Sequence, residues 1–291
     1  MANKITIRAV LPLRSLIVQT VFSFYLIVLL WRLYSYNLPH QLANPPLLKT
    51  GIDPNSWIYL YFNLQHWLVE NEIVSYIFSA SILLTCLLVI IKPNKVLYII
   101  VFTLIYYLYV IMFNINLSFH AHYMNAMMLL PFCFWVKKKF DITWEFARYY
   151  TCWIYSSAFI WKFINGAIFQ PEQGFEIMKS ELSRFIYLNP NSILTNIYTF
   201  FIEHSFLISI GTKAIYTLEG LFIIGFFTKK IDRYLIFSLL SIHIIIYFFV
   251  DTLFIEQCVL AFTLLSVKTW QNLSLFVKKV TFLKRSFKFR I

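Results

Sequence analysis

The chain has 291 residues, of which 60% are hydrophobic, 20% aromatic and only 13% charged. Soluble domains average about 25% charged residues, so this composition excludes a soluble globular protein and indicates an integral membrane one. The formal charge of +12 does not make it a nucleic-acid binder, because the basic residues form short clusters between apolar runs instead of one continuous patch.

Apolar runs near 20 residues, bounded by charges or turn residues, predict an all-α, polytopic transmembrane helix bundle of about eight spans. They fall near 12–31, 73–91, 96–113, 120–136, 146–165, 208–227, 233–250 and 253–268. The basic start, MANKITIRAVLPLRS, leads into an apolar run with no small-residue cleavage site and reads as a retained first helix. Residues 192–206 fit either an interfacial helix or the first part of the sixth span, and 253–268 is short, so seven spans also fit. Eight spans entering from inside put both termini in the cytoplasm. Nineteen of the 25 lysines and arginines then face inward, which agrees with the positive-inside rule.

Two outer segments are long. Residues 37–72 carry Pro-Pro and Asp-Pro breaks and then an aromatic stretch that predicts an interfacial helix. Residues 166–203 hold Glu172, Glu176 and Glu181 against Lys179 and Arg184. The four cysteines all sit in apolar runs without CxxC spacing, which argues against a disulfide framework or a thiol-redox motif.

With this topology the ionisable residues collect in the outer half of the membrane. His120 and His122 open the fourth span, Lys162 closes the fifth just before a predicted break at Asn165-Gly166, and Lys213 begins the sixth. A charged residue at mid-bilayer costs roughly 2.5–3.5 kcal/mol on insertion scales. Lys162 is therefore either a snorkelling anchor or part of a site. Tyr155, Ala158 and Lys162 share one helical stripe, and His243, Tyr247 and Asp251 form a second in the seventh span. Lys213, Tyr216 and Glu219 step around their helix, so Lys213 and Glu219 need not share a face. His120-Ala-His122 is not a metal pair, because residues i and i+2 point to opposite helix faces and no third ligand follows at useful spacing. In an apolar pocket, desolvation favours the neutral amine of a lysine, which then takes a weakly acidic proton. A dry, aromatic-lined cavity is also what a lipid-soluble quinol would enter from the bilayer.

The stretch Ile154-Tyr155-Ser156-Ser157-Ala158-Phe159-Ile160-Trp161-Lys162-Phe163 resembles the helix that carries the catalytic lysine in the vitamin K-dependent gamma-carboxylase-like (HTTM) membrane domain family. Thr217-Leu218-Glu219-Gly220-Leu221 is similar to the family's acidic helix, and Leu239-Leu240-Ser241-Ile242-His243 to its helix with a buried histidine. His120-Ala121-His122-Tyr123-Met124 resembles its histidine-tyrosine motif. The similarity covers roughly 115–265, with a more distant likeness to sporulation-delaying toxin maturation proteins and DoxX-like proteins.

The resemblance implies an HTTM-like membrane domain over 1–268, in the cytoplasmic membrane; the span count and charge bias make 269–291 a basic cytoplasmic tail. It implies Lys162 as base with His120 or His122 and His243 beside it. Tyr155, Glu219, Tyr247 and Trp161 would contact substrate, a quinone or hydroquinone would bind, and no metal would. Trp161 stands where the carboxylase has a second lysine, Asn165-Gly166-Ala167 replaces an acidic-tryptophan segment, and the large lumenal domain is missing. Processive glutamate carboxylation is therefore not expected. Besides membrane lipid, the alternatives for partners are a small secreted peptide that the protein matures or exports, and a membrane complex in which it is a non-catalytic subunit.

Overall fold

The computed structural model describes residues 2–42, 54–116, 128–250 and 254–276. The protein is all-α, with no strand among the described residues. Five helices in them are long and apolar enough to cross a membrane: Leu13–Gln41, Glu72–Ile91, Val96–Ile115, Ser205–Gly225 and Asp232–Val250. These correspond to five of the eight predicted spans.

The other three differ for separate reasons. The first eight residues of the run at 120–136 lie outside the described residues, and the rest contains a 3₁₀ turn, Leu130–Phe134. The run at 146–165 is a continuous helix, but Arg148, Lys162, two serines and its tyrosines lower its hydropathy. Several of those polar groups face inward, since Arg148, Tyr155 and Ser156 are all buried. The run at 253–268 contains a 3₁₀ helix, Ile255–Leu264, of 10 residues. At a rise of about 2.0 Å per residue that spans about 20 Å, short of the ~30 Å hydrocarbon core.

The chain groups into two compact units, Met1–Glu145 with Leu265–Ile291, and Phe146–Leu264. In the first unit, α1 (Ala2–Tyr34) packs on α3 (Glu72–Ile91), and α3 on α4 (Val96–Asn116). Pro93 separates α3 from α4. Phe22, Tyr25, Phe102 and Tyr106 interlock as rings 5.0–5.6 Å apart. The buried Arg14 guanidinium closes this core by donating to the carbonyls of Pro93, at 3.2 Å, and Phe134, at 2.5 Å. The predicted interfacial stretch contains α2 (Pro54–Tyr61), and Trp57, Tyr61, Phe62 and Trp67 around it are exposed.

The second unit begins within α5 (Phe140–Ile164). That helix stops where the sequence predicts, at Asn165-Gly166, because Gly166 adopts the left-handed φ of 72° that closes a helix. Residues 166–203 fold as a helical hairpin of α6 (Gln173–Leu188) and α7 (Ile193–Glu203). Asn189-Pro190 ends α6, and the Ser192 side chain accepts from Leu194 N to start α7. Met178, Leu182 and Tyr198 form the hairpin's core. The ambiguous stretch 192–206 is thus largely a helix of its own, broken at His204 before α8 (Ser205–Gly225). Helix α9 (Asp232–Val250) then packs on α8 and on the 3₁₀ segment.

Candidate functional site

Helices α5, α8 and α9 bring polar side chains together inside the second unit. Gly220 permits the approach of α5 to α8, since a Cβ there would lie 3.2 Å from the Phe159 ring. One step along α8, Glu219 meets Lys162 of α5. The ammonium Nζ donates to both carboxylate oxygens at 2.5 Å. Glu219 is buried and Lys162 about a quarter exposed, with side-chain values of 7% and 28%. The same ammonium lies over the Tyr216 ring, 4.8 Å from its centroid, a cation–π contact. The Tyr216 hydroxyl in turn donates to Gln173 Oε1 at 2.9 Å.

Gln173 also lines an open recess of about 460 Å³ at the turn from α5 to α6, with Gln170, Pro171, Glu172, Glu176 and Ile177. Tyr216 and Gln173 therefore link that recess to the ion pair. Two turns below Lys162, Tyr155 stacks on Phe222 with ring centroids 4.4 Å apart. Its hydroxyl lies 2.7 Å from His243 Nε2 on α9. His243 is buried, Phe254 flanks its ring at 5.6 Å, and its Nδ1 has no hydrogen-bond partner among the described residues.

Of the residues singled out from sequence, Tyr155, Lys162, Glu219 and His243 thus form two polar pairs on facing helices. Trp161 and Tyr247 do not join them: both side chains are exposed, and Tyr247 packs against Phe248. His120, His122 and Asp251 lie outside the described residues. Lys213 is exposed, away from Glu219. Among the described residues, no group of three or more His, Cys, Asp or Glu side chains could hold a metal ion.

The sequence did not single out Gln173, Phe222 or a second ion pair made by α5. In that pair Arg148 donates from Nε and Nη2 to both Asp232 oxygens, at 2.9 and 2.6 Å, and from Nη2 to the carbonyls of Gly225 and Thr228. The only available signal was an arginine early in one helix and an aspartate at the start of another.

No family model matches the chain, and neither does any curated protein or solved structure.

Proposed function

We propose that the protein is an eight-span helical protein of the cytoplasmic membrane, with both termini inside, that belongs to the HTTM family and acts on a lipid-soluble quinol. Five long apolar helices and the inward bias of lysine and arginine support the membrane topology. The observation that carries the chemistry is the Lys162–Glu219 pair, whose cation and anion have only each other as hydrogen-bond partners among the described residues. The aromatic surround of Tyr155, Tyr216 and Phe222 and the His243 nitrogen left unpartnered among the described residues suit a neutral ring ligand with polar substituents.

In this reading the pair acts as one base. Glu219 takes a proton from the ammonium, which leaves a neutral amine beside a neutral acid. The amine then takes the proton of a bound ring hydroxyl, and the pair ends with one proton more than it began with. The quinol supplies that hydroxyl and the reducing electrons. The carboxylate makes a lysine usable as a base without leaving a lone charge in hydrocarbon beforehand.

The test is oxygen-dependent consumption of decylubiquinol by the protein in lipid nanodiscs. Lys162→Ala is expected to lower the rate by roughly 100-fold or more while the protein still inserts in membranes. Full turnover in that variant removes the reading.

A further inference from the structure

The 2.7 Å contact between the Tyr155 hydroxyl and His243 Nε2 is the one hydrogen bond either side chain makes among the described residues, and it has two possible proton placements. Were Nε2 the donor, the phenolic proton would lack an acceptor and Nδ1 would lack a donor, leaving two unsatisfied groups in a buried site. With the phenol donating to Nε2, the neutral ring carries its proton on Nδ1, and one group is left over. An unsatisfied buried polar group costs about 1–3 kcal/mol, so the second placement is favoured. The leftover group is then a buried N–H donor.

We propose that His243 Nδ1–H is the anchoring donor for a neutral, carbonyl-bearing, lipid-soluble ligand, and that Tyr155 is a positioning residue that sets the tautomer. The surroundings select that class of ligand. His243 lies on α9, one of the apolar helices long enough to cross a membrane. Phe254 flanks the imidazole, and Tyr155 is itself held flat against Phe222. A carboxylate here would carry its charge into an aromatic surround at high cost, whereas a carbonyl brings an acceptor without charge. The specific ligand, the oxidised ring of a quinol, rests on the function proposed above; the tautomer and the donor do not.

The test is ¹⁵N NMR of the full-length chain in nanodiscs, labelled at its six histidines, with the His243 signals assigned by their loss in His243→Gln. The expected spectrum has Nδ1 protonated and Nε2 bare. Tyr155→Phe keeps the stacked ring but mixes the two tautomers. Decylubiquinone shifts the Nδ1 resonance saturably, and His243→Gln weakens its binding roughly tenfold, the loss of about one hydrogen bond.

Protonation at Nε2 overturns the proposal. So does an Nδ1 resonance that saturating decylubiquinone leaves unmoved, which would mean that only a buried water meets it. Lost turnover in Lys162→Ala together with an unmoved His243 signal keeps the quinol reading and sinks this one. Full turnover in that variant with a saturable His243 response does the reverse.

Discussion

Two positions on α5, Arg148 and Lys162, each place a cation against a carboxylate from a following helix, and they do so differently. Arg148 and Lys162 stand fourteen residues apart, about 21 Å along the helix axis. Arg148 is almost fully buried, and it adds two backbone carbonyls at the α8–α9 turn to its fork on Asp232. Those carbonyls would otherwise be unsatisfied at the end of α8, so the contact fastens three segments and leaves little for a ligand to take. Lys162 has a single carboxylate and an aromatic face, and it retains partial access to its surroundings. One pair closes a fold; the other, in the proposed reading, exchanges a proton.

The largest effect expected from this contrast is at the closed end. Arg148→Leu strands the Asp232 charge and two carbonyls, at a cost of about 3–5 kcal/mol. Thermal unfolding of the purified protein should show a large loss of Tm. Arg148→Lys should restore only a part, because an ammonium cannot reproduce the planar fork. An unchanged Tm in Arg148→Leu would break the comparison.

At the open end stability and activity should separate. Lys162→Met strands Glu219, and because the lysine is partly exposed the loss should be about 2 kcal/mol, below the fully buried range. The double variant Lys162→Met with Glu219→Met removes both charges and should regain most of that stability, since a buried pair replaced by apolar groups is often neutral. Quinol turnover should stay lost in both variants. Recovery of turnover in the double variant would mean that the pair is only a fastener, like its counterpart at Arg148.

Much of this was legible one helix at a time. The break at Asn165-Gly166 follows from local backbone chemistry, and the apolar runs reveal five of the long helices without any knowledge of packing. Azimuth around a helix was less visible. His243, Tyr247 and Asp251 look like one stripe at four-residue steps, but each step turns about 40° past a full circle at 3.6 residues per turn. By the second residue the side chain has left the face, so His243 is buried and Tyr247 exposed. Three-residue steps drift about 60° the other way, which places Lys213 outside while Tyr216 and Glu219 are buried. Pairing between helices was not legible at all. Lys162 and Glu219 were each conspicuous, yet nothing in their 57-residue separation says that they meet. The same holds for Arg148 and Asp232, which register in sequence only as inner-end charges.

The smallest expected effect bears on what distinguishes the open pair. Tyr216 offers Lys162 a ring face and offers Gln173 a hydroxyl, and two substitutions divide these contributions. Tyr216→Phe removes only the bond to Gln173, so it should cost about 1 kcal/mol of stability and leave turnover close to that of the unaltered protein. Tyr216→Leu also removes the quadrupole beneath the ammonium, a contact worth about 0.5–2 kcal/mol. With less to hold the amine at Glu219, turnover should fall further in the leucine variant than in the phenylalanine one. If both slow it equally, the hydroxyl bridge to the recess at the α5–α6 turn is the part that matters. The functional path would then run from the ion pair outward through Gln173, and the ring would count only as packing.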